Sequence, residues 1–371
     1  MWQAYFLIIY TLMSLLVALF IYNSQKKFYT EMMITKKDDP TPISIHKEFE
    51  VFSRKDKLSF PWLFLGTFFL FWIRFILSLI IASTLLIILL YKLRHLKTKD
   101  VISREERESF KFWIQRLTMM FMYASGVLVI YNKPDVEKIY KEYFGNDYKV
   151  EYDSNYACFI SNHISFIDSL MGMRTYGTGF LSKESVKHTP IIGPLTTSLQ
   201  SVYVDRSNQT DREKVLKQIL ECQSDFLNGK RSTPIMIFPE GTTTSGRDLL
   251  TFKKGAFAAL LPLKPVLIKG NSNPNFHHGC GSSDVFINYM RGLTQLYTII
   301  EYNELPIMEP TEYMYEHYKH FSTKNEQWEI FAEVAREIYC KVGGFNKSDR
   351  TLRDSTRYTN SMDSGKYVEA S

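Results

Sequence analysis

The chain has 371 residues, room for a core of catalytic size plus an attached segment, and 15% of them are aromatic. Its formal net charge of +6 is scattered along the chain, which argues against nucleic acid as a partner. Its four cysteines, Cys158, Cys222, Cys280 and Cys340, are too far apart for a disulfide framework or a cysteine zinc site.

Residues 4–22 are almost wholly apolar, close to the ~20 residues that cross ~30 Å of hydrocarbon as a helix, and Lys26 and Lys27 follow. This predicts a retained anchor over 1–25 with the next segment in the cytosol. A second apolar stretch, 60–91, is too long for one span and carries Arg74 near its centre, between basic flanks at Arg54, Lys55 and Lys57 and at Lys92, Arg94, Lys97 and Lys99. A charge at that depth is costly, so the pattern predicts a membrane-embedded hairpin of two short helices returning to the cytosolic side, the alternative being a single tilted span that tolerates the Arg. Residues 110–131 mix Phe112, Trp113, Leu117 and Phe121 with Lys111, Gln115 and Arg116, as an interfacial helix does. Together, 26–134 reads as a membrane-associated helical region.

From residue 135 short apolar runs alternate with polar helical stretches. The fold class is therefore α/β: a mixed central sheet flanked by helices, with an N-terminal membrane-spanning helix and the embedded hairpin. Strands are expected over 157–160, 201–204, 234–238, 265–269 and 297–302, and helices over 168–174, 211–227, 252–259 and 325–342. A catalytic domain would fill 135–305 and a helical extension 306–345. Residues 346–371, rich in Ser, Thr, Asp, Arg and Lys, are expected to be disordered.

Three polar clusters follow expected strands. In Ser161-Asn162-His163-Ile164-Ser165-Phe166-Ile167-Asp168 the His and Asp lie five apart, about 140° around a helix, so they meet only if His163 is in the loop and Asp168 in the first helical turn. Ser165 is placed to cap that helix, and a histidine held by a carboxylate suits general-base work on a hydroxyl. The plain alternative is an ordinary capping box. Arg206 should emerge from the strand at 201–204, where a guanidinium fits a phosphate or merely pairs with Asp205 or Asp211. Glu240, Gly241 and Thr242, in Phe238-Pro239-Glu240-Gly241-Thr242, form a polar turn able to surround a ligand, or a simple tight turn. Pro262-Leu263-Lys264-Pro265 opens a further strand, read as shaping a pocket. His277-His278 and His317-x-x-His320 lack matching ligands, so no metal site is expected.

These blocks, in this order over 157–269, resemble the glycerolipid acyltransferase superfamily, marked by H-x-x-x-x-D followed by F-P-E-G-T. The resemblance implies a His163–Asp168 catalytic dyad and substrate binding by Arg206, Glu240, Gly241 and Thr242. It also implies acyl-CoA as co-substrate without a further cofactor. Thr243 stands where lysophosphatidic acid acyltransferases carry Arg, and Leu249 to Phe257 looks like the lysophosphatidylcholine and lysophosphatidylethanolamine acyltransferase branch. That implies acylation of a lysophospholipid at a membrane, by default the endoplasmic reticulum with the catalytic domain facing the cytosol. Glycerol-3-phosphate or 1-acylglycerol-3-phosphate acylation is the alternative. A non-catalytic lipid-binding membrane protein is the reading from another class, and it has no need of an intact dyad.

Overall fold

The structure, a computed structural model, describes residues 2–34, 41–54, 56–96, 104–189, 192–204, 209–271, 276, 277, 279 and 284–365. Seven strands build its main sheet: β1 (Val127–Asn132), β2 (Cys158–Ser161), β3 (Gly179–Lys183), β4 (Val202–Val204), β5 (Ile235–Ile237), β6 (Leu263–Asn271) and β7 (Thr298–Glu304). Their spatial order is β1-β7-β6-β2-β5-β3-β4, and only the β6–β7 pair is antiparallel. The sheet is mixed, as expected. The helices that position the site are α1 (Trp2–Lys26), α2 (Phe60–Arg94), α3 (Arg104–Ala124), α4 (Phe166–Tyr176), α5 (Gln209–Leu227), α6 (Val285–Leu293), α7 (Gln327–Gly343) and α8 (Leu352–Ser364).

Alternation along the central strands explains the layering, because successive side chains leave a strand on opposite faces. Cys158 and Ile160 of β2 enter one core with Ile235, Ile237 and Leu263. Phe159 enters the other with Met236, Val266 and Ile268. A strand covered on both faces reads as an unbroken apolar run, which is why β2 and β5 were visible in the sequence. The first core is closed by Ile219 of α5 and by Phe331, Ile338 and Tyr339 of α7, so the helix expected as an extension is part of the domain. The second core is closed by Ile167 and Met171 of α4, Phe110 and Ile114 of α3, and Leu85 and Leu89 of α2.

The expected hairpin does not form. α2 is one helix of 35 residues whose only irregularity is a π-helical turn at Thr67–Phe71. Its Arg74 side chain donates to the backbone carbonyls of Gln295 and Leu296 just past α6, with Leu293 O at 3.4 Å. Carbonyls at a helix C-terminus favour a cation, so the charge is accommodated without a chain reversal. The excess length is absorbed because the distal half of α2 docks on α3. Near the other end Gly66 lies so close to Thr294 that a Cβ would stand 2.0 Å from its carbonyl oxygen.

α1 and α2 are long and apolar enough to cross a membrane. They pack against each other through Tyr22 on Phe60 and a Trp72 Nε1 bond to Ser14 Oγ (3.0 Å). Phe6, Leu12, Leu16, Phe69, Ile73 and Ile87 remain exposed on them, a surface suited to lipid. A buried ionic cluster ties this pair to the domain: Arg54 Nη2 and Arg291 Nη2 lie 2.8 and 3.0 Å from Asp56 Oδ2. Arg54 also donates to Asn288 Oδ1 (3.0 Å), and Arg291 to Gln25 Oε1 (2.7 Å) and to the Tyr29 hydroxyl.

Three further expectations are corrected. The interfacial helix stops at Ala124, and Val127 to Asn132 leave it to pair in parallel with β7 because their β-branched and aromatic side chains suit a ladder. The helix expected over 252–259 is only a 3-10 turn at Lys254–Ala256. In the supposedly disordered tail, Asn346–Ser348 pairs in parallel with Asp248–Leu250, and α8 follows behind a Thr351–Asp354 capping box. Tyr358 and Met362 of α8 are buried against Phe28, Phe49 and Leu250. Few apolar residues suffice there because they share one helical face.

Candidate functional site

Strand register brings the first two blocks together. β2 and β5 are parallel neighbours with Ile160 opposite Ile237, so residues three positions further on, His163 and Glu240, leave adjacent carboxyl ends side by side. The His163 backbone N–H donates to Glu240 Oε1 at 2.8 Å, and the Thr244 N–H donates to the His163 carbonyl at 3.0 Å. Asn162, one residue earlier, pairs its amide with both backbone groups of Ile268 on β6 at 2.8 Å. That doubled bond fixes where the chain leaves the sheet.

After His163 the chain turns into α4 with Ser165 as N-cap, its hydroxyl accepting from the Ile167 N–H at 3.1 Å. The capping box is real, and the same carboxylate serves the histidine. Asp168, fully buried, uses Oδ2 to accept from the N–H groups of Ile164 (2.6 Å) and Ser165 (2.9 Å) and stands 2.9 Å from His163 Nδ1. An oxygen already accepting two N–H groups acts as acceptor toward the ring too, so the hydrogen is assigned to Nδ1 and the lone pair to Nε2. The ring stacks on Phe238, centroids 4.0 Å apart, and its side chain is 20% exposed. Nε2 makes no protein hydrogen bond among the described residues. The arrangement therefore presents an oriented proton acceptor to the outside.

Glu240 is buried, and burial pushes its carboxyl up to about 8 against the opposing pull of the Leu250 and His163 N–H groups. Both its oxygens are spent on backbone, Oε2 accepting from Leu250 N–H at 3.0 Å, so its visible work is to hold the His163 loop. Gly241 has φ +73°, and a Cβ there would collide with the Lys253 ammonium. Thr242 donates its hydroxyl to Ser355 Oγ at 3.3 Å. Arg206 lies outside the described residues. Beside the first turn of α4 an apolar crevice is lined by Phe121, Met122, Phe166, Leu170, Tyr289 and Leu293, between α3, α4 and α6.

Four residues that touch or border these turns, Asn162, Phe238, Lys253 and Ser355, were not singled out from the sequence. The first three sit inside or next to the quoted blocks and were visible as neighbours. Ser355 carried no signal, since its contact with Thr242 spans 113 positions.

The family model described as "Acyltransferase" matches residues 137–269. The lysophospholipid acyltransferase LPEAT1 of Arabidopsis thaliana is 40% identical over 200 residues, 54% of this chain and 48% of the relative. LPEAT2 of the same plant is 29% identical over 153 residues, 41% of this chain and 28% of the relative. Lysophosphatidylcholine acyltransferase 1 of Danio rerio is 30% identical over 193 residues, 52% of this chain and 35% of the relative. The chain thus spans about half or less of the length of these curated relatives. Among solved structures, the 1-acyl-sn-glycerophosphate (LPA) acyltransferase PlsC of Thermotoga maritima aligns with TM-score 0.40 and 16% identity over 73% of this chain and 97% of that one. The His163 and Glu240 blocks lie inside the segment that the family model matches, and over about half its length the chain is similar to the lysophosphatidylcholine and LPEAT acyltransferases.

Proposed function

We propose that the protein moves a fatty acyl group from acyl-CoA to the free hydroxyl of a lysophospholipid, 1-acyl-glycerophosphocholine or -ethanolamine, at a membrane. The observation that carries this reading is the His163 ring, held through Nδ1 by buried Asp168 while Nε2 stays open. In the proposed step Nε2 takes the hydroxyl proton as the oxygen attacks the thioester carbon, and the C–S bond breaks as the tetrahedral adduct collapses. CoA leaves as the thiolate and recovers the proton from the imidazolium. Asp168 steadies that imidazolium.

Lys253, beside the Gly241 turn, is a cation suited to the acceptor phosphodiester, and Arg206 keeps that role from the family resemblance. The exposed apolar faces of α1 and α2 suit the lipid from which the acyl chain would arrive. The α/β domain, with β1 and α7 included, acts as the catalytic domain on the cytosolic face, with the endoplasmic reticulum as the membrane. The test is purified protein with labelled acyl-CoA and acceptors differing only in headgroup. Choline or ethanolamine lysolipids should be acylated. Exclusive use of glycerol-3-phosphate or lysophosphatidic acid would replace this reading with the alternative acceptor, and labelling of none would end it.

A further inference from the structure

The segment after α7 reaches the site in two places. Asn346–Ser348 forms a parallel ladder with Asp248–Leu250, and Arg336 rivets the two strands by donating to the carbonyls of Leu249 (2.9 Å) and Ser348 (2.8 Å). The clamped strand supplies the Leu250 N–H that holds Glu240 Oε2, and Glu240 in turn holds the His163 backbone. A continuous series of hydrogen bonds thus runs from the carboxy-terminal strand to the loop of the proton acceptor.

Further along, buried Ser355 of α8 accepts the Thr242 hydroxyl hydrogen. With its hydrogen committed there, Thr242 Oγ1 has a fixed rotamer and turns its lone pairs elsewhere. α8 itself is anchored from both sides. Tyr358 and Met362 pack with Phe28, Phe49 and Leu250, and Asp363 pairs with Lys27 at the end of α1. Arg350 grips the Glu48 carboxylate at 2.9 Å.

We propose that Asn346–Ser364 is a strap that completes the acceptor-binding side of the site, with Ser355 as a positioning residue for Thr242. The strap lies outside the segment matched by the family model and rests on the lysophospholipid acyltransferase reading given above. Its packing on Phe28 and its Asp363–Lys27 pair join the Thr242 side of the site to the end of α1. Acceptor recognition is therefore coupled to the membrane attachment rather than built within the α/β domain alone.

The test compares wild type, Ser355→Ala and Ser355→Thr in detergent-solubilised full-length protein, measuring kcat and both KM values. Ala is a good helix former, so the replacement leaves α8 intact, and circular dichroism melting checks this. Loss of one neutral hydrogen bond is worth about 2- to 10-fold in an equilibrium constant. The KM for lysophospholipid should rise by that factor in Ser355→Ala, the KM for acyl-CoA and kcat should stay within about twofold, and Ser355→Thr should restore the acceptor KM. An unchanged acceptor KM, an equal rise in both KM values, or a failure of Thr to restore it overturns the strap while leaving the enzymatic reading standing. A wild type inert toward every lysophospholipid overturns the reading and the strap with it.

Discussion

The His163 loop and the Arg54–Asp56–Arg291 cluster are both polar groups drawn into apolar surroundings, and they differ in what is left over. In the cluster, the Asp56 carboxylate faces two guanidiniums that also donate to Asn288, Gln25, Tyr29 and backbone carbonyls. Burial, the largest influence on Asp56, pushes its carboxyl up, yet Arg54, Arg291 and the His277 N–H hold it at about 2. The Arg54, Asp56 and Arg291 side chains are sealed from solvent, and the cluster fastens the membrane helices to α6. At His163 the same kinds of bond fix one ring nitrogen and leave the other open. A site is distinguished from a fastening by an open group that reaches the outside, not by the number of charges.

The comparison can be broken at either end. His163→Ala should cut acyl transfer by about 10²–10⁴-fold in washed membranes, with an unshifted melting midpoint. Asp56→Asn should do the reverse, destabilising the fold by about 3–5 kcal/mol in denaturant titration because two buried guanidiniums lose their counter-charge. Asp168→Asn should lower transfer by about 10²-fold while its alkyl stem and the Ser165 cap keep α4 in place, as rate and far-ultraviolet dichroism would show.

The smallest effect concerns Glu240. Its folded pKa of about 8 lies above the ordinary 4.5, so the folded chain holds a proton that the unfolded chain has already released. That contribution is full below about 4.5 and fades as pH rises toward 8. Glu240→Gln should start less stable, since one amide N–H faces a backbone donor. Its midpoint should nevertheless fall a few degrees less than that of wild type between pH 5 and 8. Parallel slopes would show that the folded Glu240 carboxyl is already ionised across this window, as in the unfolded chain.

Much of the geometry around His163 was legible in the sequence because its signals are local. His163 and Asp168 meet through one turn and a cap, and the strands before them are apolar runs that only a doubly covered sheet accommodates. What was hidden depended on distant partners. Arg74 looked like a reason to break a helix because the carbonyls that receive it lie at residues 293–296. α8 looked too polar to fold because its burial partners, Phe28 and Phe49, belong to the other end of the chain. β3 was missed because five residues beginning with a glycine carry too little periodicity to register.

The central claim is that His163 Nε2 receives the proton of the acceptor hydroxyl. The most direct measurement is an experimental structure with a lysophospholipid and a non-transferable acyl-CoA analogue bound together. The account predicts the free glycerol hydroxyl within about 2.6–3.2 Å of Nε2, with Nδ1 still on Asp168. Both ligands bound in order with that hydroxyl on another side chain, and the imidazole turned away from it, would contradict the account.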